Sequence, residues 1–148
     1  MKTLVISIAV LSMVALYSFA TNNTETKTKA ESGIIFQTGT WQQVLALAKK
    51  ENKPIFLDAY ASWCGPCKKM KRSVFTDKKV AEFFNKNFIN IAIDMEKGEG
   101  PRLSELYSVE AYPTLIFIKA DGKFFDKSVG YHTVNEFLEL GQKVIKGK

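Results

Sequence analysis

Cysteine is scarce in this sequence, with 2 among 148 residues, which excludes a small scaffold stapled by several disulfides. Histidine is scarcer: His132 stands alone, so a four-ligand zinc site could not be completed from one chain without carboxylates or a partner. Glycine and proline number 9 and 4, too few for collagen-like or low-complexity chains. No internal repeat is visible. Neither sign of charge dominates, since 21 Lys plus Arg against 15 Asp plus Glu leave a formal +6. Such a balance reads as a solvated basic surface and gives no reason to expect nucleic acid as a partner. What remains is 46% hydrophobic and 24% charged residues, the composition of a single globular domain. A monomer is expected.

The one long uncharged run is at the N-terminus. After Met1 and Lys2 it extends from Leu4 to Ala20 without a charge and reads as a secretory signal peptide over 1–20. Small residues at Ser18 and Ala20 suit cleavage before Thr21; the rival reading is an uncleaved anchor, because the run is just at the lower limit for spanning a bilayer. Residues 21–33 carry no large apolar side chain and read as a tether. The folded domain is expected over 34–148, outside the cytosol, in a bacterial periplasm.

Within that domain the apolar periodicity alternates between helix and strand. Thr40 caps a helix carrying Trp41, Val44, Leu45 and Ala48, ended by Asn52-Lys53-Pro54. Pro54 to Tyr60 and Phe88 to Asp94 are short, nearly continuous apolar runs of the kind buried strands show. Between them a helix starts near Cys64, with Pro66 in its first turn and Cys67, Met70 and Val74 on one side. Lys68, Lys69, Lys71 and Arg72 occupy its polar side. A segment capped by Thr76 or Asp77 joins or continues this helix with a bend. Leu103, Leu106 and Tyr107 mark a short helix, Thr114 to Ile118 a strand, Asp121-Gly122 a hairpin turn and Lys123 to Val129 its second strand. Thr133 to Glu136 is a capping box opening the last helix. The fold class is α/β: a central mixed sheet flanked by helices, its early strands parallel and its last ones antiparallel.

Both cysteines fall in Trp63-Cys64-Gly65-Pro66-Cys67, where a buried strand gives way to a helix. Zinc fails on ligand count. A structural disulfide enclosing only Gly65 and Pro66 removes little entropy from the unfolded chain and makes a poor staple. A redox-active dithiol suits the location better, because the free N–H groups and dipole at a helix N-terminus favour a thiolate at Cys64. Cys67, one turn on beside Met70 and Val74, is expected to be the more buried and slower sulfur. Cys64 would attack a substrate disulfide and Cys67 would resolve the mixed disulfide. Asp58, a carboxylate in an apolar strand, should hold its proton more tightly than a solvated acid does; the rival is an acid that merely bonds a turn. His132, beside a turn and ahead of Thr133, reads as a surface or capping residue.

These residues resemble the thioredoxin family. The five-residue motif is similar to its active-site sequence, and the order of elements to the thioredoxin fold, over roughly residues 36 to 146. Asp58 falls where the family keeps a buried acid, and Tyr112-Pro113-Thr114 is similar to its cis-proline loop. The resemblance implies that Asp58 takes the proton of Cys67, and that Trp63, Gly65, Pro66, Tyr112 and Pro113 face the substrate, the backbone of Tyr112 pairing with it. An ordinary trans proline opening a strand is the rival for Pro113. Asn90 stands where many members carry a lysine near the acid, so a different tuning of Asp58 is expected. The segment Ser73 to Val80 and Lys53-Pro54 are more similar to extracytoplasmic members, including the soluble domain of transmembrane disulfide electron carriers. The resemblance therefore implies a thiol-disulfide oxidoreductase that reduces protein disulfides, with no cofactor beyond the Cys64–Cys67 pair, no metal, and a membrane thiol carrier as electron donor. The rivals are a disulfide oxidase or isomerase, and a binding module of the same fold that does no chemistry.

Overall fold

A computed structural model of the chain describes residues 33–147. The expected signal peptide over 1–20 and the tether up to residue 32 lie outside the described residues, as does Lys148. In chain order the elements are α1 (Trp41–Glu51), β1 (Ile55–Tyr60), α2 (Gly65–Ser73), α3 (Lys78–Asn87), β2 (Ile89–Asp94), α4 (Gly100–Leu106), β3 (Thr114–Ile118), β4 (Phe124–Val129) and α5 (Val134–Lys146). The strands form one sheet in the order β2-β1-β3-β4. β1 and β2 pair in parallel, whereas β3 runs antiparallel to β1 and to β4. This is the mixed sheet that the sequence predicts.

The two-residue period of β1 distributes the core. Ile55, Leu57 and Ala59 pack on one face against Trp41, Val44 and Ala48 of α1 and Leu103 of α4. Phe56 goes to the other face, among Phe75, Phe84, Phe117 and Phe137. Asp58 has the parity of Phe56, so the strand delivers its carboxyl to the side covered by α2.

Local chemistry fixes the element ends. Thr40 and Gln43 cap each other's backbone at the start of α1, and Thr133 and Glu136 do the same for α5. Asn52 closes α1 in the left-handed region at φ 51°. The segment after α2, which the sequence reads as joining or continuing that helix with a bend, is a separate helix, α3. The carbonyl of Met70 accepts from both Val74 N at 2.8 Å and Phe75 N at 3.0 Å, which ends α2. Asp77 Oδ1 then accepts from the backbone of Lys79 and Val80 and starts α3. The second hairpin strand begins at Phe124 rather than Lys123, because Lys123 N donates to Asp121 Oδ1 at 3.0 Å and stays in the turn.

Candidate active site

The end of β1 and the start of α2 bring the two sulfurs together. Cys64 is the N-cap of α2, its Sγ accepting from Cys67 N at 3.1 Å, and Cys64 N donates to Ala61 O at 3.0 Å. The two cysteines are joined as a disulfide with an S–S distance of 2.05 Å. Gly65 and Pro66 are exposed above them, and a Cβ added at Gly65 would touch nothing within 4 Å.

The expected difference in burial between the sulfurs is not found. Cys64 is 2% exposed and Cys67 6%, so Cys67 is not the more buried. The reason is what covers them: both sit with Ala61 in one small cluster packed by Tyr60 and Tyr112, and Cys67 in addition borders a cavity that is partly open to solvent. The two differ in what they face rather than in depth.

That cavity, of about 450 Å³, is walled by Phe36, Tyr60, Phe75 and Ala92 and also lined by Asp58, Lys68 and Lys71. Asp58 is 6% exposed, and its Oδ1 has no hydrogen-bond partner among the described residues. Burial pushes its carboxyl up from the ordinary 3.8 to about 7, with the charge of Lys71 working the other way. Asp58 therefore titrates near neutrality and opens onto the same cavity as Cys67. It bonds no turn.

Asn90 is buried but takes no part in this. It pairs in register with Phe56, while the partner of Asp58 across the sheet is Ala92. The Asn90 side chain donates to the carbonyl of Ile35 at 3.5 Å, to that of Phe84 at 3.4 Å and to Asn85 Oδ1 at 3.3 Å, which holds the segment before α1 and the end of α3 together. The cation acting on Asp58 comes from α2 instead, as Lys71. From the sequence Lys71 belongs to a row of basic residues on a wet helix face, with nothing to separate it from Lys68, Lys69 and Arg72.

On the outer side of the disulfide, the Tyr112–Pro113 peptide is cis. Pro113 is buried, and its carbonyl accepts from Gly130 N at 2.8 Å. Thr114 Oγ1 donates to Ala111 O at 2.7 Å and steadies the same loop. Trp63 is 67% exposed. Its Nε1 donates to Glu96 Oε2 at 2.9 Å, and its ring meets Tyr112 edge-on with centroids 5.9 Å apart. Trp63 and Tyr112 thus meet beside the disulfide, and the cis peptide joins Pro113 to Tyr112 there. Sequence reasoning missed Glu96, which lies in a loop 33 residues downstream and shows no pattern of its own. His132 lies apart from the disulfide: its Nδ1 pairs with Gly130 O and its Nε2 with Ser128 Oγ, each at 2.9 Å.

Comparison with known proteins agrees with this architecture. A family model described as a thioredoxin-like domain matches residues 41–145. The chain is 32% identical over 133 residues to the thiol:disulfide interchange protein DsbD of Vibrio vulnificus, covering 86% of this chain and 22% of that protein. It is 36% identical over 92 residues to a thioredoxin of Mycoplasmoides gallisepticum, covering 60% of this chain and 82% of the relative. Against the chloroplastic thioredoxin Y2 of Arabidopsis thaliana, 37% identical over 93 residues, the match spans about half of the relative's length. Among solved structures, a putative disulphide-isomerase from Bacteroides thetaiotaomicron superimposes with a TM-score of 0.70 at 39% identity, over 79% of this chain and 97% of that one. With the family match extending from the start of α1 almost to the end of α5, the chain belongs to the thioredoxin-like domain family.

Proposed function

We propose that the protein is an exported reductase of protein disulfides. Cys64, as thiolate at the start of α2, attacks one sulfur of a substrate disulfide; that bond breaks, one substrate cysteine leaves as thiolate and the other is joined to Cys64. Asp58, as carboxylate, takes the proton of the Cys67 thiol through the shared cavity, and the resulting thiolate attacks Cys64 Sγ. The mixed disulfide breaks, the second substrate cysteine leaves, and both substrate thiolates take protons from water. Two electrons have then passed from the Cys64–Cys67 pair to the substrate. The rim of Trp63, Gly65, Pro66, Tyr112 and Pro113 receives the substrate segment, and no cofactor beyond the pair is called for.

The observation that carries this reading is Asp58, an acid with an unpartnered oxygen, held at about 7 and opening onto the cavity that Cys67 borders. An acid so tuned can take a proton from a thiol and return it to water at neutral pH. The uncharged run from Leu4 to Ala20 supports export. In that location the donor of electrons to the pair is a membrane thiol carrier, a partner class that the likeness to DsbD favours. A second reading, isomerase or oxidase, draws on the Bacteroides structure described as a putative disulphide-isomerase.

The reduction potential of the pair separates them. Equilibrated against defined thiol buffers and read by alkylation, it is expected at the reducing end, near the about −270 mV typical of thioredoxins. A value near the about −120 mV of a strong oxidant would overturn the reductase reading. A pair that fails to titrate reversibly would point to a binding module instead.

A further inference from the structure

Cys67 and Lys71 are one helical turn apart, so α2 presents both to the same side. Both line the cavity that holds Asp58. The titratable groups facing Asp58 there are Tyr60 at the end of β1 and Cys67, Lys68 and Lys71 from α2. β2 contributes Ala92, and β3 places Leu115 opposite Asp58 in register. Asp94, two residues beyond Ala92, is engaged with Lys97 at 3.2 Å. Lys71 is in none of the ion pairs found among the described residues. Its charge is uncommitted, and it faces an acid with an unpartnered oxygen.

We propose that Lys71 is a positioning residue for the resolving step, its ammonium supplying the positive charge that lets Asp58 ionise within the cavity and accept the Cys67 proton. This rests on Asp58 being that acceptor. A carboxylate in an apolar cavity has two routes to stability, solvent or a cation. Phe36 and Phe75 restrict the first, and Lys71 provides the second. It acts through Asp58 and touches neither sulfur chemistry nor substrate. Lys68 borders the same cavity, yet the charge acting on Asp58 is that of Lys71, so the two neighbouring lysines are separable by experiment.

The test uses the full chain and its Lys71→Met, Lys71→Arg, Lys68→Met and Asp58→Asn variants. Reduced protein is mixed with an aromatic disulfide, and release of the second aromatic thiol from Cys64 is followed by rapid mixing as a function of pH. The carboxyl of Asp58 is titrated separately by NMR in the oxidised protein. For Lys71→Met, the midpoint of both curves should move to higher pH, with resolution about three- to tenfold slower on the acid side and unchanged at alkaline pH. Lys71→Arg should restore the wild-type curves, and Lys68→Met should leave them in place. Superimposable curves for Lys71→Met and wild type, or slowing by one factor at every pH, would overturn the role of Lys71. Asp58→Asn decides the underlying reading: a flattened profile keeps Asp58 as acceptor even if Lys71 fails, and an unaltered profile removes both.

Discussion

A carboxyl group with one oxygen unpartnered inside an apolar wall is better off protonated than ionised, and Asp58 is in that position. Its titration near about 7, against 3.8 in an unfolded chain, ties stability to pH. Between those values the folded state binds a proton that the unfolded state has lost. The contribution is therefore fully present below about pH 4 and is lost as pH rises through about 7. The gap is worth about 4 kcal/mol at most. The oxidised protein should accordingly melt lower as pH rises through this window, and Asp58→Asn should remove most of that slope and be the more stable protein on the alkaline side. Denaturant melts across the window check this; parallel curves for the two proteins would contradict it. Asp58 was legible in the sequence because a carboxylate interrupting a buried apolar run is conspicuous. The ordering of sulfur burial was not, because it depends on Tyr112 and on a cavity wall that residues distant in the chain supply.

Helix ends were legible for a related reason. Thr40, Asp77 and Thr133 are short polar residues directly before apolar periodicity, and each makes the capping bond expected of it. The break between α2 and α3 was harder to place, since Val74 and Phe75 continue the apolar pattern while the backbone leaves the helix. Gly141 shows a further limit. A glycine inside α5 reads as a weak point that alanine would improve by about 1 kcal/mol. In the packed protein a Cβ there would lie 2.8 Å from Phe83 Cε1 and 2.9 Å from Phe84 Cζ. Phe84 cannot retreat, being fully buried and stacked on Phe137 with centroids 4.1 Å apart. Gly141→Ala should therefore destabilise the protein by about 1 to 2 kcal/mol, overpacking outweighing helix propensity. A rise in melting temperature would show that α3 and α5 can part more easily than this contact allows.

At the scale of the whole molecule, the order of elements could be read from hydrophobic period alone, because each element is local. What period cannot show is which distant residues close the cavity around Asp58. Phe36 is the case in point. Among the described residues it precedes every helix and long strand, yet it forms a parallel bridge with Asn90 on β2, its ring lies 5.5 Å from that of Phe75 and 6.3 Å from that of Phe56, and it walls the cavity. The backbone on either side is tied down by Ile34 N donating to Phe75 O and Gln37 N to Asn90 O, each at 2.7 Å. The segment is thus a lid bound to the sheet edge, and it joins the stability of the fold to the chemistry of the acid. Phe36→Ala should lower stability by about 1 to 3 kcal/mol, less than for a fully buried ring. It should also admit water to Asp58 and bring its titration down from about 7 toward the ordinary carboxylate range. Ile35→Ala, at a side chain 50% exposed, should change stability by no more than about 0.5 kcal/mol and leave Asp58 where it is. NMR titration of Asp58 in the two variants decides the matter: if Phe36→Ala loses stability while Asp58 titrates as before, desolvation of the acid is owed to the rest of the cavity wall and not to the lid.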